Sequence, residues 1–231
     1  MNLYFVVIVS ILLAVISILV YSEFRDRELL KTVTNLNRGT KSERKMVIKI
    51  LKSGIKSTAI FHDIYLNNGN EKFSQIDLVV ATKVGIVVFE VKEYGGWIFG
   101  TENQIYWTQI LAYGKRKYKF YNPILQNKKH VEDLKKFYHF DNIPVFSMIV
   151  FFGDCKFKNL IKLPNRTFLT KSHKVINRFN EIIENNPPAK YENKWEIASL
   201  FKQAVMNGEN PIIREKHTEN IQKLKTRNRF Y

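Results

Sequence analysis

Cysteine is nearly absent from this 231-residue chain, and acidic residues are heavily outnumbered. The single cysteine, Cys155, excludes an intramolecular disulfide framework, and its apolar surroundings predict a small core residue. The 21 Asp and Glu residues stand against 37 Lys and Arg, so the formal net charge is +16. Such an excess favours a polyanionic partner, either nucleic acid or an anionic lipid surface, although an AT-rich genome also enriches lysine.

Charge is missing altogether from one long segment, Leu3 to Tyr21, whose only small polar residues are Ser10 and Ser17. Its nineteen residues, at about 1.5 Å each in a helix, match the roughly 30 Å hydrocarbon core of a bilayer. The segment lacks the polar face of a helix that packs in a soluble domain, and it lacks a signal-peptide cleavage motif. Residues 1–21 are therefore predicted to be a transmembrane anchor.

Basic residues crowd the C-terminal side of this anchor, whereas its N-terminal side offers only the amine of the chain. They are Arg25, Arg27, Lys31, Arg38 and Lys41. Because cytoplasmic flanks carry the excess of Lys and Arg, we expect a single-pass protein of the cell membrane. Its N-terminus would lie outside and its C-terminal domain in the cytoplasm, with residues 22–37 as a charged helical stalk.

The rest of the chain mixes helix-like and strand-like segments, which indicates an α/β fold. Its core is assigned to residues 38–152, followed by a C-terminal helical extension and basic tail over residues 153–231. Apolar residues at helical spacing predict helices at 42–53, 123–140, 173–184 and 192–206. Runs of β-branched and aromatic residues predict strands at 59–66, 75–82, 85–92, 104–109, 117–121, 145–152 and 166–170. The polar tail from Arg214 onward is expected to be mobile.

Three charged residues interrupt two neighbouring apolar strands. Asp77 begins one otherwise apolar run, and Glu90 and Lys92 end the next. Residues two apart in a strand point to the same face, so Glu90 and Lys92 project together, and a hairpin would place Asp77 opposite them. Two convergent carboxylates repel unless a cation or proton lies between them, and hard oxygen ligands suit Mg²⁺ or Mn²⁺. An isolated acid-x-Lys pair is usually a solvated strand face, but the apolar run and Asp77 favour a functional site.

The sequence resembles the nuclease-related domain (NERD) family, a branch of the PD-(D/E)xK nuclease superfamily, from about Arg38 to Leu134. The resemblance rests on the order and spacing of short motifs: Gly39-x-x-Ser42-Glu43, Phe73-Ser74-Gln75-Ile76-Asp77, Val88-Phe89-Glu90-Val91-Lys92-Glu93-Tyr94-Gly95-Gly96, Ile98-x-Gly100, Trp107 and Asn122-Pro123-x-x-Gln126-Asn127-x-x-His130. Two positions depart from the pattern, since Ile76 replaces the proline of the superfamily name and Ser42 stands where the family often has glycine.

The resemblance implies a restriction-endonuclease-like fold, with a mixed central sheet flanked by helices, and metal-dependent cleavage of phosphodiester bonds. By analogy, Asp77 and Glu90 would hold Mg²⁺ or Mn²⁺ with help from the Val91 carbonyl. Lys92 would position or activate the attacking water, or stabilise the charge of the phosphorane. Glu43 would be an auxiliary ligand, and Gln126 an accessory site residue.

Several other side chains admit two interpretations. Lys115, Arg116 and Lys117 open a strip of alternating basic and aromatic residues that could bind nucleic acid, or could be a solvated strand with one aromatic face. His130 lies four residues after Gln126 and is expected to support the site or to lie on the surface, rather than to bind metal. Ordinary packing is expected for His62, and Trp97 and Trp107 are expected in the core.

The hypothesis favoured by the sequence is a membrane-tethered, Mg²⁺-dependent nuclease that acts on nucleic acid, and DNA rather than RNA is the expected substrate. Two alternatives stay open: a binding module of the same fold that holds nucleic acid without cleaving it, and a domain that docks a partner complex at the membrane. The presence of Asp77, Glu90 and Lys92 together favours the enzyme, because a pseudo-enzyme would more often have lost one of them.

Overall fold

The computed structural model describes residues 3–69, 72–111, 114–138, 140–159 and 162–227. Its helices are α1 (Leu3–Lys31), α2 (Lys41–Lys52), α3 (Pro123–Tyr138), α4 (Val175–Glu184), α5 (Lys194–Glu209) and α6 (Pro211–Arg227). Its strands are β1 (Ile60–Asn67), β2 (Phe73–Thr82), β3 (Gly85–Glu93), β4 (Gly96–Phe99), β5 (Tyr106–Leu111), β6 (Arg116–Tyr121), β7 (Val145–Phe152), β8 (Cys155–Phe157) and β9 (Thr167–Lys171).

The strands form a main sheet and a small sheet. The main sheet has the order β1-β2-β3-β7-β9, with antiparallel pairs from β1 to β3 and parallel pairs from β3 to β9. The small sheet has the order β6-β5-β4-β8, in which only β4 and β8 are parallel. Both sheets are mixed and helices flank them, so the predicted mixed α/β fold is confirmed.

Each face of the main sheet carries its own core. On one face, α2 and α4 bring Met46 and Phe179 against Phe89 and Phe146. The opposite face is covered by α3 and α5, and further along by the small sheet, whose Trp107 packs with Phe151 of β7. Strand β7 is buried along its whole length, as its continuous apolar sequence predicted.

Helix α1 is long and apolar enough to cross a membrane, with a mean hydropathy of 3.1 over its most apolar window. Every residue from 3 to 21 is exposed. The helix continues without a break into the predicted stalk as far as Lys31, and Leu30 near its end is buried in the domain core. An ion pair of 2.6 Å between Asp26 and Lys52 joins it to α2. The segment after the anchor is therefore packed on the domain rather than standing free of it.

Two other expectations differ from the structure. The basic tail was expected to be mobile, but it forms the helix α6. His217 fixes this helix to the domain, since its Nδ1 donates to the Phe73 carbonyl (2.9 Å) and its ring packs edge-on against Tyr65. Trp97 was expected in the core, but 39% of its surface is accessible, because it lies on the uncovered face of the small sheet. Trp107 and Cys155 are fully buried, as expected.

Candidate active site

The site begins where β2 and β3 separate. Their antiparallel ladder ends at the pair Leu78–Phe89, while β2 continues to pair with β1. Past that point the Asp77 carboxylate takes the place of a backbone acceptor, because its Oδ2 accepts the Val91 N–H at 2.7 Å. The split leaves the partly buried Asp77 side chain between the two strands, close enough to Glu90 for the charge of that carboxylate to raise the pKa of Asp77.

On β3, Glu90 and Lys92 point to the same face and form an ion pair, with Nζ of Lys92 2.6 Å from Oε1 of Glu90. Glu90 is 1% exposed, whereas the Lys92 side chain keeps 20% of its surface accessible. The other carboxylate oxygen of Glu90, Oε2, has no hydrogen-bond partner among the described residues. A buried carboxylate with one free oxygen is an uncommon and costly arrangement.

Helix α3 supplies the opposite wall of the site. Its Gln126 accepts a hydrogen bond from Lys92 through Oε1 (3.1 Å), and Nε2 of His130 lies 3.6 Å from Oε2 of Glu90. The spacing of four residues puts both side chains on one face of the helix. We call Asp77, Glu90, Lys92, Gln126 and His130 the Glu90 cluster.

Two asparagines hold α3 in place. Asn122 precedes the helix, accepts the Ile124 N–H and donates to three carbonyls of the turn before β5. Asn127 is fully buried and donates to the Val88 carbonyl and to the Ser147 hydroxyl, both at 2.9 Å. These bonds explain why an Asn-Pro-x-x-Gln-Asn-x-x-His segment aims its Gln and His at β3.

Helix α2 brings Glu43 close to the same site. Thr40 caps the helix, and its hydroxyl also donates to Oε1 of Glu43 at 2.7 Å. Oε2 of Glu43 lies 3.5 Å from Nε2 of the buried His62, whose Nδ1 is 3.0 Å from the Thr34 hydroxyl. Gly39 has φ of +62°, and a Cβ there would lie 2.7 Å from Nε2 of His62 and overlap Glu43. Only glycine therefore fits at position 39, where the backbone comes close to the His62 and Glu43 side chains.

The ionisable groups of the site perturb one another. Burial, and then the Glu90 and Glu43 charges, raise the pKa of Asp77 well above its ordinary value. Burial also acts to raise the pKa of Glu90, but the His130 and Lys92 contacts outweigh it and lower that pKa. For Lys92, burial is outweighed by the Glu90 and Asp77 carboxylates, so its pKa is raised. The pKa of Glu43 is lowered, since His62 and Thr40 outweigh burial.

The donor set fits a hard divalent cation in part. Asp77 and Glu90 supply carboxylate oxygens, and the free Oε2 of Glu90 is available for a ligand. Among the described residues, no group of three or more His, Cys, Asp or Glu side chains is gathered closely enough to form a metal site alone. A cation there would need further oxygens, such as the Val91 carbonyl, water or substrate phosphate, and Mg²⁺ is usually bound in that manner.

The predicted site residues fall into two groups. Asp77, Glu90, Lys92 and Gln126 come together, and the charge of Glu43 reaches Asp77. The predicted nucleic-acid-binding residues lie elsewhere, because Arg116 and Lys117 occupy the exposed start of the edge strand β6 and Lys115 is in the turn before it. Their side chains make no ion pair or hydrogen bond within the described part of the chain. Their roles remain predictions.

Sequence reasoning underrated two histidines. His130 is buried against Glu90, and His62 is buried against Glu43. The spacing from Gln126 to His130 signalled a shared helix face, yet only the fold shows that this face meets Glu90. No local signal connected His62 with Glu43, which is nineteen residues earlier in the chain.

Comparison with known proteins places this domain in a family. Residues 38–152 match the family described as the nuclease-related domain. A Bacillus anthracis protein, named only as uncharacterized, is 32% identical over 121 residues, covering 52% of this chain and 56% of that relative. The chain thus spans little more than half of that relative's length. No solved structure matches significantly. The matched residues include the whole Glu90 cluster, and the domain that they form belongs to the nuclease-related domain family.

Proposed function

We propose that the domain hydrolyses phosphodiester bonds of nucleic acid, DNA in preference to RNA, with a divalent cation held by Asp77 and Glu90. The observation that carries this proposal is the convergence of these two carboxylates beside Lys92, with Oε2 of Glu90 buried and free of a hydrogen-bond partner. Mg²⁺ or Mn²⁺ in such a site lowers the pKa of bound water and offsets charge on a phosphoryl oxygen.

The protein groups have separable roles in this proposal. Lys92 carries a fixed positive charge, because its raised pKa keeps it protonated at neutral pH. It is therefore better suited to stabilising negative charge that develops on the phosphate than to removing a proton from water. Gln126 and Glu90 each accept a hydrogen bond or ion-pair contact from Nζ of Lys92, so together they fix where that charge is held.

Glu43 and His130 act at the edge of the site. The Glu43 charge raises the pKa of Asp77, so Glu43 contributes to the negative potential that favours a cation there. His130 faces Oε2 of Glu90 from α3, and this contact lowers the pKa of Glu90, which favours the ionised carboxylate. Neither role requires a direct bond to a metal ion.

A cleavage assay of the full-length chain in detergent tests the proposal. Single-stranded and duplex DNA and RNA are incubated with Mg²⁺, with Mn²⁺ or with a chelator. We expect cleavage only with a metal ion, and its loss in Asp77→Asn and Glu90→Gln. Glu93→Gln is the matched control, because Glu93 is an exposed carboxylate on the same strand that bonds Ser42 instead. Metal-independent cleavage, or full activity in both site variants, would refute the proposal and favour the binding-module alternative.

We further propose that α1 anchors the domain in the cell membrane, with the N-terminus outside and the domain in the cytoplasm. Support comes from the exposed apolar surface of residues 3–21 and the basic residues that follow it. Cell fractionation should find the full-length chain with membranes. Protease added to intact cells should leave the domain uncut, and cleavage of the domain in intact cells would reverse the orientation.

A further inference from the structure

The small sheet has one face that nothing in the described structure covers. Register pairs place Tyr106 beside Tyr121, Thr108 beside Lys119, and Ile110 between Trp97 and Lys117. Directly opposed residues in a sheet point to the same side. We call this the outer face, and its members are Trp97, Phe99, Tyr106, Thr108, Ile110, Lys117, Lys119, Tyr121 and Lys156.

The outer face is aromatic and basic. Trp97, Tyr106 and Tyr121 keep 39%, 48% and 45% of their surfaces accessible. Lys117, Lys119 and Lys156 are exposed among them, and Nζ of Lys158 lies 4.9 Å above the Trp97 ring. None of the four strands contains an acidic residue, and the nearest ones in sequence are Glu93 at the end of β3 and Glu102 and Asp154 in adjoining turns.

Folding does not account for these exposed rings. The core of the small sheet is on its other face, where Trp107 and Ile98 pack against Phe151 of the main sheet. Tyr106 and Tyr121 pack edge-on against each other, with 6.2 Å between their ring centroids, yet these two rings and Trp97 each keep 39–48% of their surfaces accessible. Three half-exposed aromatic rings with lysines beside them form a patch of the kind that marks a ligand surface. Aromatic rings that alternate with basic side chains match the two parts of nucleic acid, since bases stack on rings and phosphates attract lysine.

The outer face is also close to the Glu90 cluster along the chain. Strand β6 ends at Tyr121, and α3 begins two residues later. Gln126, which contacts Lys92, is only five residues beyond Tyr121. Even a fully extended chain of that length spans less than about 18 Å. A nucleic-acid strand bound on the outer face could therefore extend as far as the site.

We propose that the outer face of the small sheet binds single-stranded nucleic acid, with bases stacked on Trp97, Tyr106 and Tyr121 and phosphates held by Lys117 and Lys119. Duplex nucleic acid hides the faces of its bases in the stack and cannot use the rings in this way. This inference deepens the proposed function by naming the form of its substrate, and it rests on that function only for the consequence of binding. It also assigns different positions to two residues of the predicted basic strip, because Lys117 lies on the outer face whereas Arg116 lies on the opposite side of the sheet.

Binding is measured with the full-length Asp77→Asn chain in detergent, so that cleavage does not interfere. Fluorescence anisotropy of a labelled thymidine oligonucleotide is compared with that of a duplex of equal length at physiological salt. The single strand should bind more tightly. Tyr121→Ala and Trp97→Ala should each weaken it roughly five- to hundred-fold, the range for losing one stacked base. When the logarithm of the binding constant is plotted against the logarithm of the salt concentration, replacing Lys117 and Lys119 with Ala should make the slope shallower by about 0.7 per lost phosphate contact.

Tyr118→Ala is the matched control. Tyr118 is on the same strand and is 48% exposed, but its register with Gln109 puts it on the other side of the sheet. Its replacement should leave affinity for the single strand unchanged, as should that of the exposed Trp195 on α5. Equal losses in Tyr118→Ala and Tyr121→Ala, or equal affinity for duplex and single strand, would overturn the inference.

A membrane surface is the competing occupant, since Trp, Tyr and Lys also favour the bilayer interface. The chain is placed in nanodiscs with brominated lipids, and its fluorescence is compared with that of Trp97→Phe. Quenching of Trp97 that persists with saturating oligonucleotide would assign the outer face to lipid and overturn the inference. If the wild-type chain cleaves nothing while Tyr121-dependent binding of the single strand persists, the proposed hydrolysis fails and this inference stands.

Discussion

Two buried charged clusters are built on β1, β2 and β3, and they differ in how completely their atoms are partnered. In the first, Arg38 bonds Asp63 through both the carboxylate (3.1 Å) and the carbonyl (2.6 Å), and it reaches the Val205 carbonyl at 2.8 Å. The remaining Asp63 oxygen accepts from Gln75 at 2.8 Å. In the Glu90 cluster, by contrast, Oε2 of Glu90 and both ring nitrogens of His130 have no hydrogen-bond partner among the described residues.

The contrast separates a charge cluster whose bonding capacity is used up from one whose bonding capacity is not. Arg38 ties the start of the domain to α5 and to Asp63, whose φ of +50° bends β1. Each polar atom there has its partner, so the cluster has no capacity left for a ligand. The Glu90 cluster retains unmet bonding capacity and crowded negative charge, which raises the pKa of Asp77. Destabilising charge of this kind is typical of functional sites.

The largest effect on stability is expected when the saturated cluster is broken. Arg38→Ala leaves Asp63 buried with Gln75 as its remaining side-chain partner, because the side chains of Arg38 and Asp63 are each 6% exposed. Removing one partner of a buried pair typically destabilises a protein by about 3–5 kcal/mol. Chemical denaturation of the detergent-solubilised chain measures the loss. Arg178→Ala is the control, since its half-exposed pair with Glu181 should contribute at most about 1 kcal/mol.

The Glu90 cluster should respond in activity instead. Lys92→Ala removes a fixed charge that acts on the transition state, so turnover should fall about 10²–10³-fold while metal affinity is spared. Lys83→Ala, an exposed lysine in the turn between β2 and β3, should cleave like the wild type. Steady-state cleavage rates and metal titrations measure the two effects. If both variants cleave equally well, Lys92 has no catalytic role, and its ion pair in the Glu90 cluster is structural, like the one in the Arg38 cluster.

A smaller effect, of opposite sign, is expected for Asp77→Asn in metal-free protein. The folded-state pKa of Asp77 is raised, so its ionised form disfavours folding at neutral pH. Asparagine removes that charge, and the thermal midpoint should rise above that of the wild type. As pH falls through the raised pKa towards the ordinary carboxyl value of about 4, wild-type Asp77 becomes neutral too and the difference should shrink. If Asp77→Asn lowered the thermal midpoint at neutral pH, the ionised Asp77 carboxylate would not be unfavourable for folding, contrary to this prediction.

The smallest effect concerns the close contact between α5 and the Arg38 cluster. A Cβ on Gly208 would lie 2.7 Å from the Asp63 carbonyl oxygen and overlap the Arg38 guanidinium. Alanine is the better helix former by about 0.5–1 kcal/mol, but overpacking typically costs about 1–3 kcal/mol. Gly208→Ala should therefore lower the free energy of unfolding, whereas Ser199→Ala, at an exposed position of α5, should not. A stabilised Gly208→Ala protein would show that Arg38 can move aside.

Much of this arrangement follows from patterns along the chain. Alternation in β3 correctly placed Glu90 and Lys92 on one face, and the continuous apolar run of β7 correctly indicated burial on both sides. The mixed α/β order was confirmed as well. Each of these features depends on neighbours close in sequence, which periodicity records directly.

Features set by distant contacts were missed. Trp97 was expected in the core, but its burial depends on which face of the small sheet is covered. The tail after Arg214 has too few apolar residues to signal a packed helix, yet His217 fastens α6 to β2. The contacts of His62 and His130 join segments far apart in the chain, and no local pattern encodes which segments will meet.

The unbroken path of α1 into the domain sets how far the site can reach. Ten residues separate Tyr21 from Lys31, a helical rise of about 15 Å, and Leu30 is already locked in the core by then. A flexible linker would let the domain move widely around its anchor, whereas a continuous helix that is packed on the domain would keep the domain close to the bilayer surface. Under the proposed anchoring and activity, the site could act only on nucleic acid that comes close to the membrane surface.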